Sequence, residues 1–149
     1  FPLDPSKWTV KVVDNTSPSQ GTPTPMVWYN IGAISISVPI GVWNLVYDVA
    51  GSCIGNVNIP TINGLITLST ANNSESDPEF TTFVSIDGYA TGVQLVINQV
   101  IRRRKTINIA SKTTYYLNME TTNDTDEVFS LAFVGNRSST ILSAICAYL

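Results

Sequence analysis

GVQLVINQVIRRRKTINIASKTTYYLN, residues Gly92 to Asn118, decides how the whole chain is read. Val93, Leu95, Ile97 and Ile101 recur at even spacing, and Thr106, Ile107, Asn108 and Ile109 resume the alternation after a basic run. Apolar side chains at that period point to one face of a pleated surface. Ala110, Ser111 and Lys112 then separate TINI from TTYYLNM. Small or polar residues between two runs rich in Thr, Tyr, Ile and Leu predict a hairpin connection, and the chain as a whole is expected to be an antiparallel β protein.

The composition agrees with a folded domain. With 149 residues the chain suits one domain, and a domain near this size buries roughly 68 to 70% of its unfolded surface. Charged residues make up 13% and apolar ones 44%, which excludes charge-driven disorder and leaves Ser, Thr and Asn to coat the surface. A net charge of −3 argues against nucleic acid as the main partner, which would need a broad positive field. Histidine is absent, so Ser-His-Asp and Cys-His catalysis and histidine zinc sites are excluded. Cys53 and Cys146 lie in apolar strand-like runs and read as buried thiols rather than a disulfide or a metal site. No stretch approaches the roughly 20 apolar residues of a membrane helix, and no signal peptide is visible. The start at Phe1 suggests a piece of something longer.

Residues 1–25 differ from the rest. WTVKVV alternates Trp8, Val10 and Val12 with Lys7, Thr9 and Lys11, and DNTSPSQGTPTP follows with repeated Pro, Ser and Gly. Proline fixes φ and disfavours helix before it, so this segment is expected to be extended, either a junction to an upstream stalk or an arm packed on its own domain. Residues 26–149 are expected to form a β-sandwich. Ile34, Ile36 and Val38 oppose Ser35 and Ser37 in a half-buried strand. Trp43, Leu45, Tyr47 and Val49 form one face of a central strand whose other face carries Val42 and Val46. GSCIGNVNIPTING reads as loops, LITLST as a strand, ANNSESDPE as a polar loop, and FTTFVSI as a strand ending at Asp87-Gly88. The acidic loop ETTNDTDE, the strand VFSLAFV, a turn at Gly135-Asn136 and the strand STILSAICAYL complete the chain.

About nine strand candidates with no helical period give a sandwich, and the missing Cys-Trp-Cys framework favours an antiparallel jelly roll over an immunoglobulin fold. Several strands are apolar or amphipathic on both faces, as with Val96 and Val100 opposite Leu95 and Ile97, or Leu142, Ala144 and Tyr148 opposite Ile141, Ile145 and Leu149. A two-sheet monomer leaves its outer faces polar, so the surplus predicts an oligomer.

SVPIGVWNLVYDV, then TINIASKTTYYLNM, then a polar turn and a short apolar C-terminal strand resemble the trimeric head domains at the tips of phage tail fibres and tail needles, above all the knob that ends the needle of some short-tailed phages. The resemblance covers about Pro25 to Leu149 and rests on strand order and texture rather than an invariant motif. It implies a tumour-necrosis-factor-like jelly roll assembled as a homotrimer, located at the tail tip of a virion. It also implies an upstream coiled coil joined to tail or portal proteins, closure of the portal channel by the needle, contact with the host envelope at ejection, and no catalytic residues or cofactor.

Arg102, Arg103, Arg104 and Lys105 put four charges in a row. The plainest reading is a solvated turn. Alternation, however, sends Arg102 and Arg104 to one face and Arg103 to the other, which leaves open an intersubunit ion pair or a small carboxylate ligand at the subunit interface. Asp124, Asp126 and Glu127 resemble a calcium loop only loosely, and no metal site is expected. Asp77, Glu79 and Asp87 are conceivable glycosidase carboxylates that the sequence cannot bring together. Trp28 and Tyr29 are candidate receptor contacts, Trp43 is another aromatic that would suit sugar stacking, and Asn15, Asn72, Asn123 and Asn136 begin N-x-[ST] triplets. A glycan-binding receptor head is the alternative to the structural tip, and a secreted cytokine-like trimer is the third reading.

Overall fold

Alternating side chains resolve into two packed antiparallel sheets in the computed structural model, which describes residues 4, 7–57, 59, 61–87, 94–124 and 126–147. The strands are β1 (Thr9–Asp14), β2 (Ser19–Gly21), β3 (Ser35–Val38), β4 (Gly41–Val57), β5 (Thr61–Ser69), β6 (Thr81–Asp87), β7 (Gln94–Ile109), β8 (Thr113–Glu120), β9 (Val128–Phe133) and β10 (Thr140–Cys146). Strand β4 is the axis of the first sheet. Along one edge it pairs β10 over Trp43–Asp48 and β9 over Gly51–Gly55, while β7 follows it from Gly41 to Val57. A strand has two edges, so β7 occupies the other one. The order is β1-β10-β4-β7, lengthened by β9 and β2, facing a second sheet β3-β8-β5-β6. That strand order, with the chain passing from sheet to sheet, is a jelly roll, as the sequence led us to expect.

Trp43, Leu45, Tyr47 and Val49 face inward and are buried, as are Ile36 and Val38 across the gap. Leu117 and Met119 of β8, with Ile62, Ile66 and Leu68 of β5, close the same core. Burying each large aliphatic side chain contributes about 1.5–3 kcal/mol, which is why one period-two pattern suffices to fix the face of each strand. Tyr47 brings a hydroxyl into this core. Its single proton is shared between the carbonyls of Ile66 (3.1 Å) and Phe80 (3.0 Å), and Thr82 Oγ1 lies 2.9 Å away. Burial pushes the Tyr47 phenol up to about 12, and that of the Cys53 thiol likewise to about 12.

Three expectations are corrected. Residues 51–57 and 61–64, read as loops, are the distal half of β4 and the start of β5. Their glycines serve close approach: a Cβ on Gly51 would lie 2.7 Å from Ile66 Cδ1, and one on Gly64 would lie 2.7 Å from Cys53 Sγ. The basic run is not a turn but the middle of β7. Residues 110–112 do not close a hairpin, because β7 pairs β4 whereas β8 pairs β3 and β5, so the chain crosses between sheets there. Within residues 1–25, β1 pairs β10 and Ser19–Gly21 pairs β9, so this part of the Pro-rich segment packs on its own domain as an extended arm. Val93, Gly88, Tyr148 and Leu149 lie outside the described residues, as do the side chains of Leu95, Ile97 and Asp87.

Candidate functional site: the basic strand and the outer face of the first sheet

Because β7 is an edge strand, its inward side chains reach the rim of the sandwich rather than its centre. Ile101 and Ile109 are buried there, and Arg103 and Lys105 between them point the same way. The chain's own 77–80 turn meets them. Arg103 donates through Nε (3.2 Å) and Nη2 (2.8 Å) to the Glu79 carbonyl. Lys105 Nζ bonds Asp77 Oδ2 and, at 2.9 Å, Glu79 Oε2. The bond to Asp77, then that to Glu79, pushes the Lys105 ammonium up. Asp77 also caps the turn by accepting from Glu79 N at 3.1 Å. Half of the basic run is therefore neutralised within one chain, and Asp77 and Glu79 serve as its counter-charges.

The outward half is not. Arg102 Nε lies 3.9 Å from Asp48 Oδ2 and its side chain is 74% exposed. Among the described residues Arg104 has no hydrogen-bond or ion-pair partner. Both line a shallow cavity of about 510 Å³ with Asn44, Val46 and Ile145. The register places Arg104 beside Val46 and Ser143, and Arg102 beside Asp48 and Ile141, on one surface. Val13, Val96, Val100 and Ile145 stand exposed on the same outer face. Two guanidinium groups two residues apart on a strand are about 7 Å apart. Their repulsion is about 0.6 kcal/mol in a water-like dielectric and about 2.4 kcal/mol at an effective dielectric of 20. Covering this face with apolar surface alone is thus unfavourable, whereas a partner that supplies carboxylates removes the penalty.

The other candidates lie elsewhere. Tyr29 pairs its backbone with Met119 on the second sheet, and its hydroxyl accepts from Thr24 N at 2.9 Å. Trp28 is half-buried next to it, and Trp43 belongs to the core. The fold does not bring these aromatics to the basic face. In the acidic loop, Glu127 Oε2 accepts from Asn123 Nδ2 at 2.9 Å, and Asn123 also donates to the Thr61 carbonyl. Asp124 and Asp126 are exposed, and among the described residues no three Cys, Asp or Glu side chains cluster as metal ligands. Asn15 accepts from Ser139 Oγ at 2.6 Å, while Asn72 and Asn136 are exposed. Sequence reading missed Tyr47 as a polar bolt between sheets, and also Asn118 and Glu120, which alternation assigns to an outer face although both are buried.

No protein-family model matches the chain, and neither does any curated protein sequence. Similar solved structures include those of infectious bursal disease virus. The Gx strain structure aligns at TM-score 0.36 and 15% identity, over 94% of this chain and 32% of that one. The VP2 subviral particle aligns at TM-score 0.33 and 16% identity over 93% and 36%, and the T13 particle at 0.36 and 12% over 98% and 35%. The chain spans about a third of the length of those virion proteins.

Proposed function

We propose that this chain is a virion structural protein without catalytic activity, a trimer-forming jelly roll at the tip of a phage tail needle or fibre, where it meets the host envelope. The observation that carries this reading is the outer face of the first sheet, where Val13, Val100 and Ile145 stand exposed around Arg102 and Arg104. Apolar surface of this kind marks a contact. The two guanidinium groups specify that the partner brings carboxylates, and the net charge of −3 makes a second copy of the chain a ready source of them. A contact between one face and a different face of the next copy closes into a ring, and three copies make the tip. The resemblance of residues 37–49 and 106–119 to needle and fibre heads supports the same reading.

Light scattering over a dilution series tests it. The wild type is expected at three times the chain mass of 16.2 kDa. Arg102→Ala/Arg104→Ala is expected to dissociate at higher concentration than the wild type, whereas Arg103→Ala, which removes a bond within one chain, is expected to keep its mass. A wild type that is monomeric at every concentration refutes the proposal.

A further inference from the structure

The outer face of the second sheet holds an anomaly unrelated to the basic strand. Alternation turns Thr67 and Ser69 of β5, and Asn118 and Glu120 of β8, away from the core, since Ile66, Leu68, Leu117 and Met119 point inward. Outward polar side chains are normally wet. Here Thr67, Ser69 and Asn118 are completely buried and Glu120 is 8% exposed. The 70–77 loop folds back over them. Asn118 Nδ2 holds it by donating to the carbonyls of Ala71 (3.0 Å) and Ser74 (2.7 Å), Ser69 Oγ accepts from Ala71 N, and Asn30 N donates to Asn73 Oδ1.

Under this lid several oxygens go unused. Asn118 Oδ1 and Thr67 Oγ1 are buried with no hydrogen-bond partner, and the two residues sit directly opposite each other in the β5–β8 register. Glu120, two residues further along the same face of β8, has no hydrogen bond or ion pair from its carboxylate among the described residues. Glu75 descends from the loop, and its Oε1 accepts from Thr81 Oγ1, which is the register partner of Thr67 on the other side. Burial and then the nearby Glu75 carboxylate push the Glu120 carboxyl up. Two carboxylates, one amide oxygen and one hydroxyl therefore lie on neighbouring strands under one loop: Glu120 and Asn118 are two residues apart on β8, about 7 Å, Thr67 is next to Asn118 on β5, and the Glu75 carboxylate bonds Thr81 on the strand beyond. Buried polar atoms are rarely left unpaired, and a buried carboxylate beside a second carboxylate requires a proton or a cation.

We propose that this lidded face binds a hard divalent cation of the calcium type, with the Glu75 and Glu120 carboxylates as charged ligands and Asn118 Oδ1 and Thr67 Oγ1 as neutral ones. The donor set is entirely oxygen, which selects calcium or magnesium over zinc or copper. Loop carbonyls and water complete a shell that calcium accepts in irregular geometry and magnesium does not, so calcium is the better fit. Two carboxylates rather than four place the affinity in the weak range, with a dissociation constant on the order of 10⁻⁴ to 10⁻³ M. Such a site does not depend on the trimer or on the tail-tip reading, because every ligand comes from one chain.

Calorimetric titration of the intact chain with calcium chloride, and thermal melts in chelator and in millimolar calcium, test the site. Binding heat and a calcium-dependent rise in melting temperature are expected, with a weaker response to magnesium. Glu75→Gln and Glu120→Gln are each expected to weaken calcium binding at least tenfold, while Asp124→Asn, on the exposed acidic loop, leaves it unchanged. The variants also separate a cation from a proton. With a cation, Glu120→Gln melts at or above the wild type in chelator and below it in calcium. If Glu120→Gln matches or exceeds the wild type in both, or no heat accompanies calcium, the site holds a protonated carboxyl and water, and the proposal is overturned. Undiminished binding in Glu75→Gln overturns it as well.

Discussion

Replacing Tyr47 by Phe removes one oxygen from the centre of the sandwich and leaves the ring in place. The phenol is completely buried and ties β4 to β5, to the turn at Phe80 and to β6. Phe keeps the packing against Phe80, whose ring centroid is 5.5 Å away. The loss is therefore the hydrogen-bonding cost alone, about 1–3 kcal/mol at neutral pH. The pH dependence is a second, independent check. The folded Tyr47 pKa is about 12 against an ordinary 10.0, so above pH 10 the unfolded chain releases a proton that the native chain retains. Native stability from this group is complete below pH 10 and is lost as pH rises toward 12. Two units at 1.36 kcal/mol each amount to about 2.7 kcal/mol. Tyr47→Phe lacks the group, so its deficit should shrink with rising pH and vanish or reverse near pH 12. Other alkaline titrations, Cys53 included, are common to both proteins and cancel in the difference. Denaturant unfolding followed by tryptophan fluorescence, repeated across that range, measures the gap. A deficit under about 0.5 kcal/mol at neutral pH, the scale of a surface change, or a gap independent of pH would refute the reasoning.

A methyl group at Gly135 would meet the backbone carbonyls of Thr16 and Asp14, the latter at 2.8 Å. Gly135→Ala should cost about 1–3 kcal/mol or more, whereas Gly21→Ala, where a Cβ meets nothing within 4 Å, should be nearly neutral in the same melts. Cys53 is buried with its thiol pushed up to about 12 and Cys146 is only half-buried, so a thiol reagent should label Cys146 first and Cys53 only on unfolding. Two equally fast labels would contradict the burial of Cys53. Lys105 owes its pairing to Asp77 and Glu79 at the solvent-exposed rim, and Lys105→Met should lower stability more at low than at high ionic strength. An effect independent of salt would exclude the ion pair as its cause.

The sequence made the core strands legible because burial imposes a period of two. Ile34 to Val38 and Trp43 to Val49 lie as their alternation predicts. What it obscured has physical reasons. Gly51 and Gly64 look like loop residues, yet here they let the two sheets approach, and only the opposing Ile66 and Cys53 reveal that. The run from Arg102 to Lys105 resembles a turn because four like charges rarely sit inside a strand; an edge position, with Asp77 and Glu79 brought from elsewhere in the chain, makes it tolerable. The split of Arg102 and Arg104 from Arg103 was legible from alternation alone. Asn118 and Glu120 were not, since nothing local says that a loop some 45 residues earlier will cover them.

Strand β4 runs for 17 residues, about 55 Å when extended, with neighbours along both edges for most of that length. A pull applied at its two ends loads the ladder hydrogen bonds side by side, so that many must give way together. A peeling force at a short edge strand such as β2 breaks them one at a time. Along β4 the domain therefore resists a pull as a tie-rod does, and across it the domain is far weaker.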